Sequence, residues 1–378
     1  MRIAIVCSNF TSITKAAKKG TEIFDYILIN NLAKVDKSLD ITAFASGDSD
    51  LPVKTESVDY HSSVSDKSII RKDKHIIFEL ALISKAFSMQ EDFDLYHINI
   101  GDGDIALPLA PFVKKPMLIT LHYTQEAEYI NKYFPLFSNL SNVSFISISN
   151  SQRKFFPNLK YAGTIYHGIE TELFEFDPKG GESIMWAGRG TPEKGLGIIV
   201  QVLKKVKRKA KIFPLKKEEH IEWLNKQVTD LKADVADNNI VIEFDKDRLD
   251  LITHYQSSKL FLFPIQWEEP FGLVLIESMA CGTPVVAYAR GSVSEIIRDG
   301  ETGFLVNPSE TDIQGNWIIK KTGIDGLCEA VEKTYSMKDE EYQKIRSNCR
   351  ILVEKSFSAN RMVEEYLKVY KKLVPSQH

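Results

Sequence analysis

The stretch WEEPFGLVLIESMACGTPVV, residues 267–286, joins a loop, a helix and the beginning of a strand. Leu273–Cys281 is apolar at almost every position and predicts a buried helix, which Gly282 and Pro284 terminate. Glu277 lies in the middle of this helix, and its neighbours three and four residues away are all apolar. A buried carboxylate costs on the order of several kcal/mol unless hydrogen-bond donors satisfy it. We therefore expect Glu277 to bind a specific partner.

Outward from this stretch, short runs rich in Ile and Val alternate with amphipathic stretches along the whole chain. The predicted strands are 2–6, 41–45, 95–100, 117–121, 145–149 and 163–166, followed by 183–188, 211–214, 240–244, 259–264, 284–289 and 303–306. This alternation is typical of parallel sheets covered by helices. It predicts two doubly wound α/β domains, with ligands bound at the carboxyl ends of the strands.

The predicted domain limits follow from a break in this pattern, where a stretch with Pro178, Gly180 and Gly181 indicates a linker. We expect a first domain over residues 1–170 and a second over 171–357. Residues 358–378 predict a C-terminal helix. The sequence leaves two alternatives for it, packing on the second domain or packing back on the first.

The composition sets limits on the class of protein. The chain has 378 residues, 43% of them hydrophobic and 26% charged, and its formal net charge of −3 gives no reason to expect a nucleic-acid partner. No run approaches about 20 apolar residues, and the N-terminus lacks a signal-peptide pattern, so we expect a cytoplasmic protein. The four cysteines show no spacing typical of a metal site.

Familiar nucleotide motifs are absent. The first predicted strand is not followed by G-x-G-x-x-G, which argues against a dinucleotide dehydrogenase. The segment GRGTPEKG has the glycine spacing of a Walker loop, but Leu196 stands where the lysine is required, which argues strongly against an ATPase.

Two loops are candidates for binding an anion. Arg189 and Lys194 flank a predicted helix N-terminus, where unpaired amides and the helix dipole favour negative charge. The backbone amides of Phe271, Gly272 and Leu273 open the helix that carries Glu277, and a glycine lets a ligand approach closely. A surface turn with two solvated cations is the alternative for the first loop.

Two carboxylates accompany these loops. Glu269 and Glu277 are eight residues apart and are expected to reach opposite ends of one extended ligand. Cations and amides for phosphates, together with carboxylates for hydroxyl groups, indicate a polyhydroxylated diphosphate such as a sugar nucleotide. A Mg²⁺ site is the alternative, but it needs its carboxylates closer together.

At these residues the chain resembles the retaining glycosyltransferases of glycosyltransferase family 4, which have the GT-B fold. The motifs that carry the resemblance are WAGRGTPEKG, the pair Glu269 and Glu277, MACGTPVVA and GSVSEIIRDGETGFLV. The resemblance covers nearly the whole chain and is strongest over 184–308. It implies two Rossmann-like domains with an inter-domain cleft, the first binding the acceptor and the second binding a nucleoside diphosphate sugar.

The resemblance also implies roles for single residues of the second domain. Arg189 and Lys194 are expected to hold the diphosphate of the donor. The amides of Phe271, Gly272 and Leu273 are expected to bind phosphate or sugar oxygens.

The same resemblance assigns the remaining site residues. Glu269 is expected to contact the hydroxyl groups of the sugar, and Glu277 to accept hydrogen bonds from the ribose. His122, which follows a predicted strand, matches a histidine that contacts the transferred sugar. Gly20 matches part of a glycine loop near the donor phosphates, but the usual glycine pair is Lys19-Gly20 here. The segment 211–220 also departs from the family, since it lacks a G-x-G stretch.

The implied reaction is carbohydrate biosynthesis by a hexosyltransferase that retains the anomeric configuration and needs no metal or other cofactor. The expected catalytic residues are His122, Glu269, Arg189 and Lys194, acting in a front-side displacement. The expected donor is a UDP-sugar, with GDP-mannose as its alternative, and the acceptor is an unidentified hydroxyl group. A GT-B epimerase or phosphorylase, or a non-catalytic sugar-nucleotide-binding protein, is the alternative function.

A membrane contact depends on the acceptor. If the acceptor is a lipid, the basic residues Lys15, Lys18 and Lys19 are expected to touch an anionic membrane, which would place the protein peripherally at its inner face.

Overall fold

The computed structural model describes residues 1–70, 73–124, 127–234 and 240–374, with the side chains of residues 233 and 234 left aside. The chain forms two compact units, Met1–Gly168 with Ser358–His378, and Ile169–Phe357. The predicted C-terminal helix is thus part of the first unit, and its last residues, 375–378, lie outside the described residues.

All strand pairs within the two sheets are parallel among the described residues. The first sheet has the order β3-β2-β1-β4-β5-β6-β7. Its strands are β1 Arg2–Val6, β2 Asp40–Phe44, β3 Lys54–Glu56, β4 Leu95–Ile98, β5 Met117–Thr120, β6 Val143–Ser147 and β7 Tyr161–Thr164. The second sheet has the order β10-β9-β8-β11-β12-β13. Its strands are β8 Ser183–Arg189, β9 Ala210–Leu215, β10 Ile240–Ile242, β11 Ser258–Phe263, β12 Val285–Tyr288 and β13 Gly303–Val306.

Helices connect these strands. They are α1 Gly20–Val35, α2 Lys67–Ile70, α3 His75–Ser88, α4 Ala127–Tyr133, α5 Asn150–Arg153, α6 Leu196–Val206, α7 Ile221–Asp234, α8 Ile252–Gln256, α9 Leu273–Ala280, α10 Val293–Ile296, α11 Gly323–Tyr335, α12 Asp339–Ser356 and α13 Ala359–Leu373. The fold-class prediction of two doubly wound, Rossmann-like α/β domains is confirmed. The strand β3 was not predicted, because KTE is short and polar and shows no apolar alternation.

The helix α13 is fixed to the first sheet by a buried polar network. Nδ1 of His97, on β4, lies 2.7 Å from the hydroxyl of Tyr370, and its Nε2 lies 2.7 Å from the hydroxyl of Thr120 on β5. Tyr366 lies 3.1 Å from the same threonine hydroxyl. Because buried polar groups are costly unless paired, this network selects one position of α13 on the sheet.

Candidate functional site

The predicted loops of the second unit meet at one edge of its sheet. Strands β8 and β11 are neighbours in the sheet although they are not consecutive in sequence. From β8 the chain adds β9 and β10 on one side, and it then returns to add β11, β12 and β13 on the other side, so the order of strand addition reverses between β8 and β11. Ligands of open parallel sheets bind at such a reversal, beyond the carboxyl ends of the strands. The loop 190–195 follows β8, and the loop 264–272 follows β11.

These two loops are locked together by backbone contacts. The amide of Gln266 donates to the carbonyl of Glu193 at 2.8 Å. Gly195 has φ +82°, and a Cβ on it would lie 2.1 Å from the carbonyl oxygen of Pro264, so only glycine fits. The indole N–H of Trp186, a fully buried residue of β8, donates to the carbonyl of Lys194 at 3.2 Å. The backbone position of Lys194 is therefore fixed from two sides.

Lys194 and Glu269 form a partly buried ion pair across these loops. Nζ of Lys194 lies 2.7 Å from Oε2 of Glu269, and their side chains are only 15% and 10% exposed. The indole N–H of Trp267 donates to the same Oε2 at 2.9 Å. Arg189 is more accessible, with 43% of its side chain exposed and a loose contact of 3.6 Å to Glu193. The site thus offers one buried pair and one exposed guanidinium.

The loop that carries Glu269 is also tied to the loop after β12. The amide of Gly291 donates to Oε2 of Glu268 at 2.6 Å. The amide of Ser292 donates to the carbonyl of Glu269 at 2.9 Å, and its hydroxyl donates to the carbonyl of Phe271 at 2.7 Å. A Cβ on Gly291 would lie 2.3 Å from that Glu269 carbonyl oxygen. Close packing here fixes the backbone that presents Glu269.

Gly272 begins the helix α9 as its N-cap, with φ +90° and ψ +70° and no side-chain cap. The first amides of a helix, here those of Leu273 and Val274, have no carbonyl partner within the helix, whereas the amide of Leu275 donates to the carbonyl of Gly272 at 3.0 Å. The side chain of Glu269 passes beside this turn, since its Cγ lies 3.4 Å from where a Cβ of Gly272 would be. The backbone amides that the sequence predicts for anion binding, at the start of α9, therefore lie beside the Glu269 side chain.

Glu277 is held by protein groups, which corrects the expectation that a ligand alone satisfies its charge. Its Oε1 accepts from Nε of Arg248 at 2.6 Å, and its Oε2 accepts from the hydroxyl of Tyr255 at 3.4 Å. The carboxylate needs no ribose to be stable inside the protein, because a guanidinium 2.6 Å away already supplies its charge partner. The predicted ribose contact of Glu277 stays a prediction.

One buried arginine and one partly buried arginine hold the other end of α9. Arg346, which is fully buried, donates to the carbonyl of Cys281 at 3.2 Å and to that of Asp177 at 2.6 Å. Arg350 donates to the carbonyl of Ala280 at 3.1 Å. Cations are favourable at a helix C-terminus, where the last carbonyls are unpaired. These contacts hold in place the helix that carries Glu277.

In the first unit, His122 follows β5 and is buried. Its amide and that of Tyr123 both donate to Oδ1 of Asp102 at 2.9 Å, so Asp102 anchors this loop. Nε2 of His122 is buried and has no hydrogen-bond partner among the described residues. Burial lowers the pKa of His122 to about 3, so the imidazole is neutral near pH 7. A buried nitrogen of this kind normally has a partner, which favours a ligand contact.

Gly20 is the first residue of α1, close to the His122 loop. The ring of Phe24, one turn further along α1, packs edge-on against His122 with centroids 4.9 Å apart. A Cβ on Gly20 would meet no atom within 4 Å, so packing does not require glycine there. The cap residue Lys19 provides no side-chain cap to the first amides of α1. Open space beside a helix N-terminus is consistent with a bound anion.

The structure thus brings together six of the predicted residues on one edge of the second sheet, namely Arg189, Lys194, Glu269, Phe271, Gly272 and Leu273. Sequence reasoning missed Arg248 and Trp267. Trp267 stood inside the quoted stretch, but an indole gives no sequence signal of the bond it makes. No spacing pattern connects Arg248 to Glu277, which is 29 residues away.

Comparison with known proteins finds a family model and several relatives that this chain resembles. Residues 170–322 match the model of the family glycosyl transferases group 1. The chain is 25% identical over 189 residues to an uncharacterized 41.2 kDa protein in the cps region of Klebsiella pneumoniae, covering 50% of this chain and 46% of that protein. It is 25% identical over 260 residues to phosphatidyl-myo-inositol mannosyltransferase of Mycobacterium tuberculosis, covering 64% and 65%. The chain therefore spans about half to two thirds of these relatives' lengths.

A solved structure agrees at the level of the fold. The Anabaena protein HepE in complex with UDP-glucose superposes with a TM-score of 0.73 at 15% identity, over 98% of this chain and all of that one. The family resemblance and fold class predicted from the motifs are confirmed. Among the described residues no helix has the length and apolar character to cross a bilayer.

Proposed function

We propose that this chain, whose residues 170–322 match the family glycosyl transferases group 1, is a retaining hexosyltransferase that uses a nucleoside diphosphate sugar. The observation that carries the proposal is the arrangement at the reversal point of the second sheet. There Arg189, the partly buried pair of Lys194 and Glu269, and the N-terminus of α9 without a side-chain cap lie on two loops that contact each other.

The cations and amides suit the diphosphate of the donor. Arg189 is exposed enough to grip phosphate oxygens, and its planar guanidinium offers two donors to them. Lys194 has three donors and spends one on Glu269, so two can serve the diphosphate. With the amides of Gly272 and Leu273, these groups would stabilise the negative charge that grows on the leaving diphosphate.

The reaction proposed is a front-side displacement. The bond between the anomeric carbon and the diphosphate oxygen breaks, and the acceptor oxygen forms its bond on the same face of the sugar. The acceptor proton passes to the leaving diphosphate. Glu269 would hold the sugar hydroxyls in this geometry, and Glu277 would accept from the ribose through lone pairs that Arg248 and Tyr255 leave open.

The first unit is proposed to bind the acceptor. His122 is proposed to contact the transferred sugar as a neutral imidazole, since burial lowers its pKa to about 3. Gly20 is proposed to present its amide to a donor phosphate. A UDP-sugar remains the favoured donor and GDP-mannose its alternative, since one compared protein is a complex with UDP-glucose and another is a mannosyltransferase. No metal is included in this reaction.

The test is thermal stabilisation by UDP, UDP-glucose, GDP, GDP-mannose and ADP-glucose in the presence of a metal chelator. A ligand at about a hundred times its dissociation constant should add roughly 2.7 kcal/mol of stability. Stabilisation by one nucleotide, lost in Arg189→Ala, would support the proposal and name the donor. No stabilisation by any of them would contradict it.

Product analysis separates the transferase from its alternatives. Release of a sugar 1-phosphate that depends on added phosphate would indicate a phosphorylase, and conversion of one sugar nucleotide into another would indicate an epimerase. Donor binding without any product across many acceptors would indicate a binding protein.

Peripheral membrane contact stays a proposal tied to a lipid acceptor. Lys15, Lys18 and Lys19 are exposed, as are the apolar side chains of Ile76 and Ile77 in the same unit. Basic and apolar groups on a surface suit an anionic bilayer. Sedimentation with vesicles containing anionic lipid tests this, and an unbound protein would contradict it.

A further inference from the structure

Trp267 lies beside three charged side chains of the proposed donor site, Glu269, Lys194 and Arg189. Its indole N–H donates to Oε2 of Glu269 at 2.9 Å. Its ring lies 4.8 Å from Nζ of Lys194 and 5.9 Å from Cζ of Arg189, distances at which a cation interacts with the face of an aromatic ring. Neither the family match nor the sequence motifs gave this residue a role.

The hydrogen bonds that the described residues donate to the Glu269 carboxylate all end on one of its two oxygens. Lys194 and Trp267 both donate to Oε2, at 2.7 Å and 2.9 Å. Among the described residues, none donates to Oε1. Two donors on one oxygen fix the plane of the carboxylate and leave the second oxygen with its full capacity to accept. The sugar hydroxyls proposed to bind Glu269 would find that oxygen already oriented.

Orientation matters here because a glutamate side chain has three rotatable bonds. Freezing them only when the sugar binds would cost conformational entropy at that moment. A carboxylate held in advance avoids this cost, and pre-oriented groups account for much of enzymatic rate enhancement.

We propose that Trp267 is a positioning residue for the donor sugar: its N–H holds Glu269 so that Oε1 faces the sugar, and its ring keeps Lys194 and Arg189 beside the diphosphate. The inference rests on the proposed function. It separates two effects, because the N–H acts on the sugar through Glu269 and the ring acts on the diphosphate through the cations.

Two substitutions separate these effects. Trp267→Phe keeps an aromatic face and removes the N–H, so UDP affinity should stay within about 3-fold of wild type. Hydrolysis of UDP-glucose, measured without acceptor, should slow by about 10-fold, in line with the loss of one hydrogen bond to a charged group. Trp267→Leu also removes the ring, so UDP affinity itself should fall, by about 3-fold to 10-fold. The same pair of assays with GDP and GDP-mannose covers the alternative donor.

Trp317 provides a matched control. Its indole N–H also donates to a side-chain oxygen of the second unit, Oδ1 of Asn307 at 3.1 Å. Trp317→Phe should leave both UDP affinity and UDP-glucose hydrolysis at wild-type values. If Trp267→Phe weakens UDP binding as much as it slows hydrolysis, the residue is only structural and the proposal is overturned.

A measurement without ligand tests the hydrogen bond itself. The indole N–H resonance of Trp267 should shift in Glu269→Gln, because its acceptor changes from a charged carboxylate to a neutral amide. An unchanged resonance would overturn the inference while the proposed function stood. If wild-type protein binds none of the five nucleotides named for the thermal-stabilisation test, the proposed function fails, and the inference fails with it.

Discussion

Oε1 of Glu277 lies 2.6 Å from Nε of Arg248, and the two side chains are only 3% and 13% exposed. The apolar helix α9 therefore carries a carboxylate whose charge is balanced inside the protein. The guanidinium also lies over the ring of Phe174, with Cζ 5.0 Å from its centroid. Because Arg248 compensates the buried charge, the Glu277 carboxylate is stable in the folded protein whether or not it contacts a ligand.

Arg248→Met should strongly destabilise the second unit, because it leaves the buried Glu277 carboxylate without its partner. Breaking a buried pair from one side costs about 3 to 5 kcal/mol, and denaturation by urea would measure it. The double substitution Arg248→Met with Glu277→Gln should recover much of this loss.

The exposed pair of Lys209 and Glu182, 57% and 79% exposed at 3.0 Å, supplies the control. Lys209→Met should change stability by less than about 1 kcal/mol. An equal loss in the free energy of unfolding for Arg248→Met and Lys209→Met would show that the buried pair contributes no more to stability than the exposed pair.

Lys194→Met should lower turnover by about 10²-fold, because it removes a cation that stabilises charge on the leaving diphosphate. It also releases Glu269 from one of its two donors on Oε2. Steady-state donor hydrolysis at saturating sugar nucleotide measures the effect. Lys205 lies in the last turn of α6, is exposed and is paired with Asp325, so its replacement by methionine should leave turnover unchanged.

Gly291→Ala should reduce donor turnover although Gly291 itself carries no reactive group. Its φ is +60°, and a Cβ would lie 2.3 Å from the carbonyl oxygen and 2.5 Å from the amide nitrogen of Glu269, so the Glu269 backbone must move. A displacement of that size at a positioned group can cost on the order of 10²-fold in rate.

Gly163→Ala in β7 is the matched control, because its nearest neighbour would be a methyl group of Ile146 at 3.8 Å. Turnover and thermal stability should match wild type there. Wild-type turnover in Gly291→Ala would mean that the loop after β12 does not position Glu269.

The elements that could be predicted from the sequence are those that depend on local periodicity. Buried parallel strands such as β1 and β12 are continuous apolar runs, and α9 was found from its apolar character and its terminating glycine. The partners of side chains could not be predicted, because they depend on which loops the sheet order brings together. Arg248, which lies between β10 and β11 in sequence, contacts Glu277 on the helix after β11, a pairing that no local pattern indicates.

The anion loops illustrate the same limit. The sequence placed Arg189 and Lys194 together at a helix N-terminus, and the structure adds that Lys194 is paired while Arg189 is open to solvent. That difference comes from Glu269, which follows a different strand. No local pattern encodes it.

Three buried histidines of the first unit predict how its stability depends on pH. Burial lowers the pKa of His97 and of His122 to about 3, and it lowers the pKa of His167 well below its usual value. In the unfolded chain each titrates near 6.5. Below about pH 6.5 the unfolded chain therefore binds protons that the folded chain does not, and stability falls as the pH falls towards 3.

Each of these histidines should contribute a slope of about 1.4 kcal/mol per pH unit between about pH 5 and pH 6. His122→Asn removes one titrating group, so the free energy of unfolding should fall less steeply with decreasing pH than in wild type. Urea denaturation at a series of pH values measures both slopes. Parallel curves for wild type and His122→Asn would show that His122 binds protons alike in the folded and unfolded chain, which would contradict the lowered pKa.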